Sequence, residues 1–464
     1  MATAAGFGGV RAWAPPGFAD GRTPAGAAER ASGAGRPSTP WSFQLLLVFL
    51  LALFSCLPLL VPPLQPVAPA QTAALVAFAL LFVERSIAQT PFRTVWPEMA
   101  LLAIFLTASA LSIFNALWPK HALDSTVVLL KFAVIYVLIV NTVESWGRLR
   151  TAYTVVAIGA LFPALGALRN LAQGNFVEGN RVSWIGIFDG PNDLAYALTM
   201  VFPLVLALAL VGRRGWNGRG WLSVRGLWTM ALWGILAVLA IATFATYSRS
   251  GLLGFAVVVF LCLVRWSPPV ARLPLLVLAA VAGVALVSTY WARDEGFADL
   301  VADATLNERL ATIEVGLEMF ADRPLLGVGL GCSVLGWPIY ADPGQSTDGW
   351  LHSHNSFIQV LSETGLLGAV PFLALVGLAL WRANRLARRL AWAGRGDLAR
   401  LVSALEISLW GFLVCGLAGG WVLTWFPYLV LGFAGAARFL PEPDLGGALD
   451  EGDAEDAGEW EEGR

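Results

Sequence analysis

The chain has 464 residues, 57% of them hydrophobic and only 13% charged, and it carries 20 tryptophans. A soluble domain averages about 25% charged residues, so this composition excludes a soluble globular enzyme and describes a polytopic membrane protein. The formal net charge is −2, but ten of the 32 acids lie in residues 441–464; the basic remainder suits anionic headgroups or phosphates, and the lack of basic runs alternating with aromatics excludes nucleic acid as a partner.

Residues 1–40 are rich in Ala, Gly and Pro and contain four arginines but no apolar core. They are expected to form a disordered cytoplasmic tail rather than a signal peptide. Crossing a hydrocarbon core of about 30 Å takes about 20 apolar residues. That length criterion predicts about twelve spans, at 43–63, 67–84, 98–118, 125–142, 151–171, 192–212, 227–247, 250–265, 273–292, 356–381, 401–420 and 422–440. The last two are separated only by a tight turn expected at Gly419-Gly420. The fold class is therefore an all-α polytopic membrane protein, with a transmembrane domain over 41–440, one long external loop at 293–355 containing short amphipathic helices, and an acidic disordered cytoplasmic tail over 441–464.

Cytoplasmic loops hold most Lys and Arg near the spans. With both termini inside, 22 of the 30 bases fall on the cytoplasmic side. The external face is then left with Lys120, Arg169, Arg181, Arg249, Arg293, Arg309 and Arg323, while Lys131 lies within a span. The long loop is external by this placement, hence periplasmic in a two-membrane bacterium. Within it Leu306, Leu310, Ile313, Leu317 and Phe320 form one helical stripe, which suits a helix lying along the bilayer surface or over the span ends, with Arg309 near the membrane plane. No internal repeat of the kind many transporters carry is visible.

Several polar residues stand out against this apolar background. Arg249, in TYSRSG at the outer end of a span, is either a snorkelling anchor or a phosphate ligand. Ser248, Ser250 and Gly251 leave room for a large anion and favour the second reading. Arg181 precedes a Gly-Pro-Asn turn in which Asn192 and Asp193 can cap the next helix; it is a solvated loop charge or a ligand. Arg309 has the alternative of pairing with Glu308 or Asp303, and Arg323 reads as turn chemistry. His352 and His354 lead into Asn355 and the tenth span. Either they and Asn355 cap that helix, or one imidazole, with an ordinary pKa near 6.5, acts as general base on a hydroxyl, His354 being nearer the span. The only other histidine is His121, and no thiolate or carboxylate stands at ligand spacing, so no metal is expected. The four cysteines, Cys56, Cys262, Cys332 and Cys415, suggest no disulfide pattern.

Glu363, about two turns into the tenth span, needs a partner or a polar cavity and is a functional candidate. Lys131 and Glu406 read as a structural pair that neutralise each other. The GVGLG run at 327–331 follows no strand and is not a dinucleotide loop; it reads as a flexible or tightly turned segment whose amides could meet an anion.

These pieces together carry a resemblance. RLAT from Arg309, FADRPLLGVGLG over 320–331, HNSF from His354 and ETGLLG from Glu363 resemble the signature region of bacterial O-antigen ligases and O-antigen polymerases. TYSRSG is similar to a preceding Ser-Arg-Gly element, although Ser250 stands where Gly is common, and GIFDGPNDLA over 186–195 resembles a further one. The resemblance covers about residues 180–380. It implies a polytopic, metal-independent glycosyltransferase without cofactor, in the bacterial inner membrane. Its donor would be an undecaprenyl-diphosphate-linked glycan, used at the periplasmic face. The acceptor would be lipid A core for a ligase and a lipid-linked glycan for a polymerase, with the ligase slightly ahead and an exopolysaccharide polymerase in contention. By the same resemblance Arg249 and Arg309 bind the diphosphate and His354 acts on the acceptor hydroxyl, with Arg181 and Glu363 as further site residues. The alternative from another class is a lipid-linked glycan flippase or transporter; a membrane scaffold docking through the acidic tail is a third.

Overall fold

The computed structural model describes residues 40–177, 179–213, 224–291, 304–341, 351 and 353–441. Both tails, His352, and 293–303 and 342–350 of the long loop lie outside the described residues. Among the described residues the elements are helices: α1 (Trp41–Ser55), α2 (Leu57–Leu60), α3 (Pro69–Ile87), α4 (Glu98–Ser112), α5 (Pro119–Thr142), α6 (Trp146–Gln173), α7 (Pro191–Arg213), α8 (Val224–Ala245), α9 (Arg249–Trp266), α10 (Pro269–Trp291), α11 (Ala304–Asp322), α12 (Ser333–Tyr340), α13 (Ser356–Trp392), α14 (Gly396–Gly416) and α15 (Trp425–Ala437). The protein is an all-α polytopic membrane protein.

Each of the twelve expected spans contains a helix, but among the described residues nine are long and apolar enough to cross a membrane. Trp41–Ser55, Pro269–Ala285 and Trp425–Ala437 are apolar and shorter. The first expected span breaks at Cys56, which sits in the left-handed region at φ 49°. Pro58, Pro62 and Pro63 follow it, each lacking the amide that a continuous helix would need. The last span is short because residues 417–424 leave the helix to form part of the site described below. In the other direction, α13 runs well past its expected end at 381, carrying Arg382, Arg385, Arg388 and Arg389 on its final turns.

Lipid tails are as apolar as leucine, so helices in a membrane associate through close packing and polar contacts rather than through escape from water. Small residues accordingly mark the tight crossings. A Cβ on Gly254 would strike Cys415 Sγ, one on Gly411 would lie 2.9 Å from Val258 Cγ2, and one on Gly432 would lie 3.1 Å from Ile139 Cβ. The first two join α9 to α14 and the third joins α15 to α5. Helices α7 and α14 are the most enclosed spans and pack on each other at the centre, with α8, α9 and α13 around them. Aromatic rings fill the space between α1, α5 and α15, as in the Phe132–Trp425 edge contact at 4.6 Å.

One end of the bundle is closed by ion pairs. Glu144 receives Arg85 at 2.6 Å and Arg148 at 2.9 Å, with Arg93 at 3.7 Å. Glu98, 3% exposed, receives Arg382 and, at 3.3 Å, Arg438. Glu406 binds Arg265 through Nη2 at 2.7 Å and takes an amide hydrogen bond from Asn384 at 3.0 Å. The expected Lys131–Glu406 pair therefore does not form: Lys131 is exposed on α5, while Arg265, one residue from the end of α9, reaches Glu406 across the α9–α14 contact. The helix ends at Pro191, Ala245, Arg249, Ser356, Gly416 and Trp425 meet at the other end, and the candidate site is there.

Candidate active site at one end of the bundle

The chain reverses between α8 and α9 in three residues. Tyr247 makes this possible by taking the left-handed conformation at φ 51°, which costs a non-glycine residue about 1–2 kcal/mol. Ser248 then caps α9, its Oγ accepting from Gly251 N at 3.1 Å. Arg249 becomes the first helical residue, half-buried at a helix N-terminus, where amides and macrodipole both favour an anion.

Asn192 and Asp193, the expected caps of α7, hold tertiary partners. Asn192 Oδ1 accepts from Arg181 Nη2 at 2.7 Å and from Ser248 Oγ at 2.6 Å, tying Arg181 to the start of α9. Arg181 also donates from Nε to Thr246 O at 3.3 Å. Asp193 Oδ1 accepts from the Trp421 indole at 2.6 Å. Ser250 Oγ lies 2.6 Å from Tyr196 OH, and that hydroxyl donates to Ala418 O at 3.1 Å.

Residues 417–421 thus form a strip of backbone between α7 and α9 on one side and the start of α13 on the other. From the α13 side, Asn355 Nδ2 donates to Leu417 O at 3.1 Å, Ser356 Oγ donates to Gly419 O at 2.6 Å, and Trp421 N donates to Ser356 Oγ at 2.8 Å. Gly419 and Gly420 are there for close approach rather than for a tight turn: a Cβ on Gly419 would enter the Tyr196 ring, and one on Gly420 would strike Ser353 O and lie 3.2 Å from Gln359 Oε1. Asn355 is the α13 cap, its Oδ1 accepting from Phe357 N at 2.9 Å and Ile358 N at 3.1 Å. Capping therefore does not require His354, which stands half-buried one residue earlier.

Helix α11 forms where the apolar periodicity places it, but a different face turns inward. Thr312, Val315 and Met319 are buried, whereas Leu310 is 50% and Leu317 44% exposed. The helix crosses α13 where Gly316 meets Ile358. Arg309, three residues before Thr312, lies on the inward face, close enough to act electrostatically on the Tyr196 hydroxyl. Its Nε is buried and has no hydrogen-bond partner among the described residues. Of the two alternative partners, Glu308 forms no ion pair with it among the described residues, and Asp303 lies outside them.

Glu363 sits about 12 Å along α13 from the cap at the usual helical rise, 1% exposed. The glycine loop closes over it. Gly327, Gly329 and Gly331 all have positive φ, and the loop pairs with a break in α13 at Gly365, φ 58°. Val328 N donates to Ser362 O at 2.8 Å, Gly329 N to Glu363 O at 3.0 Å and Leu366 N to Pro324 O at 2.9 Å. Ser333 Oγ donates to Glu363 Oε1 at 2.6 Å. The loop is thus tightly turned rather than open, and the anion its far end meets is the chain's own carboxylate. Arg323 anchors its start by donating to Asn115 O. Burial pushes the Cys332 thiol up to about 11, which removes it as a thiolate nucleophile at neutral pH.

The structure therefore gathers Arg181, Arg249 and Arg309 and the His354 segment around one strip of backbone. Residues 234–373 match the family model described as O-antigen ligase. A second likeness is to the exopolysaccharide production protein ExoQ of Rhizobium meliloti (strain 1021), 26% identical over 285 residues, which are 57% of this chain and 61% of that protein. Over these regions the chain is similar to the O-antigen ligase and polymerase superfamily.

The O-antigen ligase match takes in α9, α11 and the start of α13, and with them Arg249, Arg309, His354 and Glu363. It leaves out Arg181, Asn192 and Tyr196 on one side and Trp421 on the other, which complete this site from outside the matched region. Tyr196, Gln359 and Trp421 are not legible in the sequence as site residues: a tyrosine or glutamine in an apolar helix and a tryptophan beside a glycine pair carry no signal until the helices are assembled.

Proposed function

We propose that the protein is a glycosyltransferase that moves a glycan from an undecaprenyl-diphosphate carrier to an acceptor hydroxyl at the periplasmic face of the bacterial inner membrane. The observation that carries this reading is the convergence at one end of the bundle of Arg181, the capped start of α9 with Arg249, and Arg309 with its buried Nε. The His354 segment lies across the same backbone strip. Guanidinium forks match phosphate oxygens and stay charged at every working pH.

In the proposed step the acceptor hydroxyl oxygen forms a bond to the anomeric carbon of the donor while that carbon's bond to the phosphate oxygen breaks. The hydroxyl proton passes to His354, and the bonding pair leaves with the lipid diphosphate, where Arg249 and Arg309 neutralise the charge that develops. Preorganised donors aimed at developing charge each contribute on the order of 10²–10³ in rate. Arg181, held by Asn192, orients the donor. A site built at one end of the bundle supports transfer rather than the flippase alternative, because alternating access places its site near the midplane.

Two acceptors fit this chemistry. The O-antigen ligase match supports lipid A core; the name of the Rhizobium relative supports joining of lipid-linked units into an exopolysaccharide. The deciding experiment supplies purified protein in nanodiscs with a synthetic polyprenyl-diphosphate oligosaccharide, with and without lipid A core. Product on lipid A core marks a ligase, lengthened lipid-linked glycan marks a polymerase, and no new glycosidic bond under either condition overturns the proposal. His354→Ala should lower turnover by about 10²–10⁴ with normal insertion.

A further inference from the structure

Helix α13 runs beyond what crossing a bilayer needs. Trp381, 56% exposed, suits the aromatic belt at the membrane interface, and the helix continues from it to Trp392. Arg388 and Arg389 therefore stand about 10–12 Å past Trp381 at the usual helical rise, farther than a headgroup layer of about 5–7 Å on each side. Arg385, Arg388, Arg389 and Trp392 recur at intervals of three and four residues, so they share one face, and all four are exposed. The nearby ion pairs are Arg382 with Glu98 and Arg400 with Asp397; among the described residues no carboxylate pairs with Arg385, Arg388 or Arg389. Arg385 lies over the Trp381 ring at 5.3 Å. Orienting a chain in the membrane calls for bases beside a span but does not say what neutralises them.

The same chain supplies acids close by. Arg438 shares Glu98 with Arg382, and three residues later the Trp146 indole donates to Pro441 O at 2.9 Å. The chain thus leaves the bundle beside the root of the arginine face. Residues 442–464, outside the described residues, hold ten acids and one base. Asp450, Glu451, Asp453, Glu455 and Asp456 form the densest run. Asp450 is nine residues past Pro441, and nine residues can span up to about 30 Å. Arg389 is about 10 Å along the axis from Arg382, well within that reach. Single exposed ion pairs are weak, but a short tether holds the two segments at an effective concentration of about mM, so several weak pairs suffice.

We propose that the Arg385, Arg388 and Arg389 face of α13 is the docking surface for the acidic run 450–456 of the same chain. Opposite charge and the nearby exit of the chain identify the occupant. The distance of Arg388 and Arg389 past the headgroup layer disfavours a lipid phosphate. The contact is independent of the proposed glycosyl transfer.

A distance measurement on the full chain tests it. The four native cysteines are buried, so spin labels on Ala393→Cys and Ala457→Cys report selectively, in nanodiscs holding one protein each. Double electron–electron resonance at 0.1 M salt should give a short, narrow distance population. That population should be lost at 1 M salt, where the screening length falls from about 10 Å to about 3 Å, and in the triple variant Arg385→Glu, Arg388→Glu, Arg389→Glu. Replacing the five acids of the run by lysine in that variant should restore it. A broad distribution in the parent, a short population that survives the three glutamates, or no recovery on the charge swap overturns the inference. Discs of phosphatidylcholine and of anionic phosphatidylglycerol separate the lipid alternative: a short population present in the first and absent in the second assigns the face to headgroups and overturns it. A short distance seen only between two singly labelled chains in one disc assigns the face to a second copy, with the same consequence.

Discussion

The two ends of the bundle treat arginine in opposite ways. At one end Glu144, Glu98 and Glu406 hold six arginines between them, so each of these guanidinium groups has a carboxylate partner and the helices are locked together. At the other, Arg181 gives two of its hydrogen bonds to neutral oxygens and Arg309 holds a buried Nε without a hydrogen-bond partner among the described residues. A guanidinium turned toward a carboxylate is committed to the chain, whereas a buried N–H such as Arg309 Nε is placed for a ligand oxygen to meet. The comparison teaches that a count of arginines per face, which serves to orient the chain, says nothing about which of them are available.

The largest expected effect is at the ion-paired end. Glu98→Ala removes the buried carboxylate that ties together half-buried Arg382 and exposed Arg438, two charge-assisted hydrogen bonds worth about 1.5–3 kcal/mol each. Thermal unfolding in detergent should show a clear drop, while activity per folded molecule stays close to normal. At the site end the pattern should invert. Arg309→Ala should lower turnover by about 10²–10³, which is about 2.7–4 kcal/mol of transition-state stabilisation, with unfolding little changed. Equal stability losses in the two variants would erase the distinction between the ends.

Smaller effects sharpen it. Asn355→Ala removes the α13 cap and the bond to Leu417 O and should cost about 1 kcal/mol of stability; Asn355→Ser, which can still cap, should recover part of it. Smaller again is the acid response of the loop. The Tyr340 hydroxyl at 2.6 Å, with Arg323 beside it, holds the Asp322 carboxyl below the usual carboxylate range. A carboxyl depressed in the folded state contributes above its unfolded value of about 3.9 and loses that contribution as pH falls through its folded value. Tyr340→Phe should therefore flatten the stability profile below about pH 4 and leave it unchanged at neutrality, as a titration of unfolding midpoints would reveal.

Much of this molecule is legible before it is folded. Helix positions follow from apolar length, and the Arg249, Arg309 and His354 elements from their motifs. Sequence reasoning fails where a contact between distant segments decides the outcome. The leucine stripe of α11 does not tell which face meets the bundle, because amphipathic periodicity reports where apolar residues lie and not what they touch. In a membrane an apolar face can turn outward, and in α11 the face bearing Arg309 turns in. Lys131 and Glu406 invite pairing because both are charges in apolar sequence, yet partner choice is a matter of helix neighbours, and α9 is the neighbour of α14.

By itself the sequence determined that the chain is helical and membrane-embedded, since the transfer free energy of a segment of about 20 apolar residues is a sum over that segment alone. Only the tertiary structure decided that the glycine loop would close on Glu363, that Gly419-Gly420 would let Tyr196 and the start of α13 share one backbone strip, and that Gln359 would keep a buried acceptor oxygen facing that strip. Each depends on which side chains from separate helices arrive at the same place, and no local sum contains that.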